Sequence, residues 1–133
     1  MYLLKRLRDQ SLPIHQLNTV FLSLIVNRIR YAIPSWGGFI AAELRGALNP
    51  MLRRAYRCDY CRKPITVEEI MEAADGKLFA AIQHPAHCIH SILPQEKEHA
   101  KGLRRKGHTF QLPQYTYDMY RKSFIPQCLF KYV

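Results

Sequence analysis

The chain predicts a mainly α fold: a small helical bundle, then a second short helical segment and an irregular, aromatic-rich tail. Three observations predict it. Apolar residues recur at three- and four-residue steps over 14–33, the spacing that lines one face of a helix. Thr66 and Glu69 form a capping box ahead of a second periodic stretch. Pro13, Pro34, Pro50 and Pro94 cut the chain into pieces of helical length.

The elements follow in order. Residues 2–10 read as a short basic helix, with Leu3, Leu4 and Leu7 on one face and Lys5, Arg6 and Arg8 elsewhere; Ser11-Leu12-Pro13 ends it. Ile14, Leu17, Phe21, Leu24 and Ile25, widened by Leu22, Ile29 and Ile33, predict a helix of about five turns with a broad buried face. Pro34 is expected to stop it. Trp36-Gly37-Gly38 reads as a turn, since glycine accepts backbone angles that other residues resist. A third helix is expected over 39–48. Asn49-Pro50 then reads as the cap and first residue of a fourth, which presents Arg53, Arg54 and Arg57. Residues 58–65 read as a linker between a segment 1–57 and a segment 66–133. The Thr66 helix is expected to run through Ile82, tolerating Gly76. A short helix is expected over 86–93, and 95–113 reads as an irregular basic loop. Tyr115, Tyr117, Tyr120, Phe124, Phe130 and Tyr132, with Leu129 among them, are too many large apolar side chains for a solvated tail and are expected to pack back on the helices.

With 133 residues and 48% apolar content, the chain can fold as one domain or as two small helical lobes. Its formal charge of +10 is unevenly spread. Residues 1–57 carry nine basic and two acidic side chains, 58–95 three and five, and 96–133 eight and three. Two basic segments flanking an acidic middle point to a polyanion, nucleic acid first, because a basic surface gains by releasing condensed counterions. The plainer reading is a solvated basic surface. The apolar run at Val20–Val26 follows Lys5, Arg6 and Arg8 as in a signal peptide. However, Asp9, Pro13, His15 and Asn18 intervene, no small-residue cleavage site follows, and Arg28 ends the uncharged stretch too early to span a bilayer. No membrane partner is expected, and the chain reads as intracellular rather than secreted.

Cys58 and Cys61 have the spacing of two zinc ligands on a tight knuckle. His84, His87, Cys88 and His90 offer further donors, and Cys58, Cys61, His87 and Cys88 form the candidate metal set. The plainer reading makes Cys58 and Cys61 linker thiols, Cys88 a small buried apolar residue, and the histidines hydrogen-bonding groups of a short helix. On that reading no cofactor is expected, and zinc stands as the alternative. Four scattered cysteines do not make a secreted disulfide scaffold.

Several stretches occur in one order along almost the whole chain. Tyr2-Leu-Leu-Lys-Arg-Leu7 comes first, then Phe21–Phe39 with Tyr31-Ala-Ile-Pro-Ser-Trp-Gly-Gly38 inside it, then Leu52-Arg-Arg-Ala-Tyr56 and Asp75-Gly-Lys-Leu-Phe79. Gln83-His-Pro-Ala-His-Cys-Ile-His-Ser-Ile-Leu-Pro94 follows, then Leu103-Arg-Arg-Lys-Gly-His108 with Leu112-Pro113, and finally Lys122-Ser-Phe-Ile125 and Cys128-Leu-Phe130. This series resembles the thumb and C-terminal tail of reverse transcriptases of non-LTR retrotransposons, jockey-like elements in particular. The chain departs from the family pattern at Ile89, where leucine is usual, at Lys106, where arginine is usual, and at the Cys58/Cys61 pair.

The resemblance implies a thumb-like helical segment over 1–57 that tracks RNA or an RNA–DNA hybrid, beside the palm of a parent RNA-directed DNA polymerase, in the nucleus. It implies backbone contacts from basic residues of the N-terminal helices, where Arg28, Arg30, Arg53, Arg54 and Arg57 are singled out beside Lys5, Arg6, Arg8 and Arg45. Arg104, Arg105 and Lys106, in the basic loop with Lys101 and His108, read from their own composition as a contact to single-stranded RNA or equally as a nuclear-localisation stretch. The palm would lie upstream. Polymerases hold two metal ions on paired carboxylates, and the aspartates here, Asp9, Asp59, Asp75 and Asp118, are nowhere adjacent. The chain is therefore expected to be a transposable-element fragment and no enzyme by itself. A stand-alone zinc-binding adaptor and a decayed remnant without function are the alternatives.

Overall fold

The computed structural model describes residues 1–97 and 108–132. The helices are α1 (Tyr2–Asp9), α2 (Ile14–Phe21), α3 (Asn27–Arg30), α4 (Ile33–Trp36), α5 (Ala42–Arg57), α6 (Val67–Ile82), α7 (Asp118–Lys122) and α8 (Phe124–Lys131). The fold is mainly α, as the periodicity predicts. Contacts divide the chain into two compact units, residues 1–33 with 40–72, and residues 34–39 with 73–133. Residues 58–65 lie inside the first unit.

In the first unit, α2 and α3 are joined by a π turn, Leu22–Val26, so helical backbone runs from Ile14 to Arg30. A π turn adds a residue to one turn and rotates the face that follows. The buried positions are Leu17, Phe21 and Val26, a step of four and then of five. The expected stripe is corrected accordingly: Leu24 is 56% exposed and Ile14 61%, whereas Val26 is fully buried. The helix also stops before Pro34. Tyr31 leaves the helical region with ψ 119 and Ala32 takes a positive φ of 49. Pro34 instead lies in the first turn of α4, where its missing N–H costs no bond.

Residues 39–57 do not form two helices. One helix, α5, runs through Pro50. Proline there gives up the bond to the Gly46 carbonyl and crowds it, and no outside group approaches Gly46. The signal read as a local cap is used elsewhere. Asn49 Oδ1 accepts from the Val67 N–H at 2.9 Å and its Nδ2 donates to Glu68 Oε2 at 3.0 Å. Asn49 thus caps the start of α6, not the helix that contains it. The capping box holds as expected: Glu69 N–H donates to Thr66 Oγ1 at 3.2 Å, and Thr66 N–H to Glu69 Oε2 at 3.1 Å. The expected linker is not a passive spacer, because Tyr60 and Cys61 are buried. The Tyr60 carbonyl accepts from Asn18 Nδ2 at 3.2 Å, which ties this loop to α2.

The core of the second unit gathers Phe79, Ile82, Phe110, Cys128 and Leu129, flanked by Leu78, Ile89, Leu93, Phe124, Ile125 and Tyr132. Tyr132 stacks on Phe79 with centroids 5.4 Å apart. The tail therefore packs back partly as expected, and as two helices rather than irregularly. Tyr115, Tyr117 and Tyr120 remain exposed. Residues 86–93 are turns with a single 3-10 turn, His90–Ile92, in place of the expected helix. Histidine side chains bond the chain locally there: His84 Nδ1 accepts from the Ala86 N–H at 3.2 Å, His87 Nδ1 from the Ile89 N–H at 3.4 Å, and His90 Nδ1 bonds the Ile82 carbonyl at 2.9 Å. Such bonds compete with a helical ladder. Residues 95–97 and 109–111 pair through one antiparallel bridge, Glu96 to Phe110.

Gly38 is needed for proximity rather than for a left-handed turn. A Cβ there would run into the Lys122 carbonyl and lie 2.5 Å from Gln127 Oε1, so the turn seats directly on the end of α7.

Among the described residues no helix is long and apolar enough to cross a membrane.

Candidate nucleic-acid interface

The last turns of α5 bury Leu52 and Ala55 and leave Arg53, Arg54 and Arg57 exposed. Helical spacing fans the three guanidinium groups over roughly a 100° arc on the outer side. None is paired with a carboxylate among the described residues. Glu43 is the only acid of α5, at its far end.

Arg54 does not stand alone. It shares a recess of about 340 Å³ with Tyr2, Lys5 and Arg8 of α1 and with Cys58 and Tyr60 of the following loop. Three cationic side chains line this recess and no acidic one does. Arg8 is held in place: its guanidinium lies 5.5 Å from the Tyr60 ring centroid, and its Nη1 reaches the Cys58 carbonyl at 3.5 Å, just past the end of α5. A cation at a helix C-terminus is favoured by the helix dipole. Arg6 turns to Tyr2 instead, with Nε donating to the phenol oxygen at 2.8 Å. Arg57 lines a separate recess of about 470 Å³ with Ile14, Tyr56, Asp59, Cys61 and Arg62, where Asp59 offsets part of the charge.

Arg28 and Arg30 are exposed in the last turn of α3, followed by Tyr31 at 79% exposure. Their position also suits the helix dipole, so each has a structural use besides contact with a polyanion. Of the second basic cluster, Arg104, Arg105 and Lys106 lie outside the described residues, as does Lys101. His108, which the sequence groups with them, is buried. Its Nδ1 accepts from the Phe110 N–H at 3.1 Å and its Nε2 bonds the Leu129 carbonyl at 2.7 Å, which makes it a core residue with the proton on Nε2. Nearby, Arg121 lies 5.4 Å from the Tyr115 ring centroid and 6.0 Å from that of Phe130.

The candidate metal donors are distributed as follows. Cys58 and Cys61 belong to the first unit, His87 and Cys88 to the second. Cys61 is buried, and burial pushes its thiol pKa up; Cys58 is half-buried. Cys88 is exposed rather than the buried apolar residue expected, because the helix that would have turned it inward does not form. Among the described residues no three histidine, cysteine or carboxylate side chains come together as a metal site. The inert buried thiol is Cys128, whose pKa is pushed up to about 12 by burial and by Asp75.

The sequence marks Lys5 and Arg8 as basic but gives no sign that they meet Arg54. No local signal carries it, since α1 and the end of α5 lie about 50 residues apart, as the Arg8 to Cys58 bond shows. Compared with protein-family models, with curated proteins and with solved structures, the chain matches none.

Proposed function

We propose that this chain is a nucleic-acid-binding region without a catalytic centre of its own, the thumb and tail of a non-LTR retrotransposon reverse transcriptase. The observation that carries the binding role is the end of α5. Arg53, Arg54 and Arg57 are exposed there and free of carboxylate partners among the described residues, and Arg54 opens onto the acid-free recess with Lys5 and Arg8. Cations that form no ion pair within the protein are available to phosphates, Arg57 less so for the Asp59 that shares its recess, and phosphate contacts hold a duplex without reading its sequence. That suits a polymerase thumb, which accepts any template. The family assignment rests on the ordered motifs from Tyr2 to Phe130.

The test is binding of an RNA–DNA hybrid across a salt series. Affinity falls linearly on a log–log plot, and replacing Arg53, Arg54 and Arg57 by alanine together shallows the slope by roughly two to three. Affinity that is flat with salt, or a triple variant with the parental slope, refutes the assignment of the interface to α5.

A further inference from the structure

The recess between α1 and the end of α5 has features that a general basic surface does not need. It is concave, about 340 Å³, at the lower end of the range for small-ligand sites. Its three cations come from two helices, and no acidic side chain lines it. Arg8 is anchored by the Tyr60 ring and the Cys58 carbonyl, so its position is set before any ligand arrives. The Lys5 ammonium and the Arg54 guanidinium have no hydrogen-bonding or ionic partner among the described residues. Three like charges facing one small space repel each other, and an anion of high charge density relieves that repulsion.

An internal phosphodiester of a nucleic acid carries one negative charge and is reached best by a ridge or an open groove. A terminal phosphate carries about −1.5 to −2 at neutral pH and presents three acceptor oxygens. Three convergent cations match the terminal group better. Tyr2 lines the recess and is 71% exposed; the Arg6 guanidinium lies 5.3 Å from its ring centroid, and an adjoining base would stack on the ring beside that cation. We propose that Lys5, Arg8 and Arg54 form a pocket for a terminal phosphate group. The inference rests on the nucleic-acid reading above and names the part of the nucleic acid that this recess takes. The same chemistry occurs on a free nucleotide, and the experiment separates the two sources.

Fluorescence anisotropy on the full chain compares one short single-stranded RNA with a 5′-phosphate and with a 5′-hydroxyl. The phosphorylated RNA binds roughly tenfold tighter, the scale of one or two charge-assisted hydrogen bonds. Lys5→Ala combined with Arg54→Ala brings the ratio to one. Both side chains are exposed, so the fold does not depend on them. Arg53→Ala, one position away but outside the recess, lowers both affinities alike and leaves the ratio unchanged.

Equal affinity for the two RNAs overturns the pocket while leaving the nucleic-acid reading intact. So does a ratio that falls as far in Arg53→Ala as in the double variant. If neither RNA binds, the nucleic-acid reading falls, and titration with inorganic pyrophosphate followed by NMR decides the pocket. Shifts centred on Tyr2, Lys5 and Arg54 that are lost in the double variant assign it to a free nucleotide's phosphates. The absence of such shifts overturns it.

Discussion

Replacing Asn49 by alanine tests whether this side chain caps α6 from the middle of α5. The substitution removes the acceptor of the Val67 N–H, a bond of 2.9 Å at a helix start. Losing a capping acceptor costs about 1 kcal/mol. It also removes the donor to Glu68 Oε2 at 3.0 Å, an exposed contact worth a few tenths of a kcal/mol once solvent screening is counted. Against this, alanine is the better helix former at an interior position and returns about 0.6 kcal/mol. The net is a loss of roughly 0.5 to 1 kcal/mol, read as a lower urea midpoint with an unchanged m-value in circular dichroism.

The pH dependence separates the two bonds. The Glu68 carboxyl is held below the ordinary carboxylate range, first by its own backbone N–H, then by the Asn49 amide, with the Arg45 charge adding. A depressed carboxylate contributes stability above its ordinary pKa and loses it as pH falls through the depressed one. The gap between parent and variant therefore narrows slightly in acid, while the Val67 share persists. A variant more stable than the parent at neutral pH refutes the capping role and leaves helix propensity as the deciding effect.

Two further substitutions probe the second unit. Gly38→Ala drives a Cβ into the Lys122 carbonyl; backbone cannot yield as a side chain can, so a loss of about 1 to 3 kcal/mol is expected in the same denaturation assay, and a loss under about 0.5 kcal/mol means the turn does not seat on α7. Asp75→Asn is expected to raise stability at neutral pH, because burial pushes the Asp75 carboxyl up, with the Lys131 charge only partly opposing it. A raised pKa means stability that is full below the ordinary aspartate value and lost as pH rises through the folded one. Melting curves of parent and variant should therefore converge as pH falls toward that value, and a variant equally stable or less stable at pH 7 contradicts the sign.

What was legible in the sequence was local. The Thr66/Glu69 box needs four consecutive residues, and it forms as read. The periodicity that announced helices is likewise local, and the helices are there. Where the reading slipped, a distant partner had changed the meaning of a local signal. Asn49-Pro50 carries the marks of a helix start, yet the acceptor on Asn49 serves a helix 18 residues further on. The Leu24 and Ile25 stripe follows an ideal 3.6-residue turn, and one π turn moves the buried face to Val26. The loop 58–63 has the composition of a linker, but Asn18 and the buried Tyr60 ring make it part of a core.

The candidate site inherits this dependence. Had the chain broken at Asn49-Pro50, the helix carrying Arg54 would have been free to point elsewhere. Because α5 continues through the proline while its asparagine is held by Val67 and Glu68, the end of α5 is fixed at both ends of its last two turns: by α6 at Asn49, and by Arg8 at the Cys58 carbonyl. Arg53, Arg54 and Arg57 were readable as basic residues on a helix. That Arg54 lines one recess with Lys5 and Arg8 follows from long-range placement, in which the buried Leu4, Leu52, Ala55 and Tyr60 share with those two ties. A count of charges therefore locates the basic helix, while the concavity that distinguishes a pocket from a merely basic surface comes from residues about 50 positions apart in the chain, brought together by packing and by the Arg8 bond to the Cys58 carbonyl.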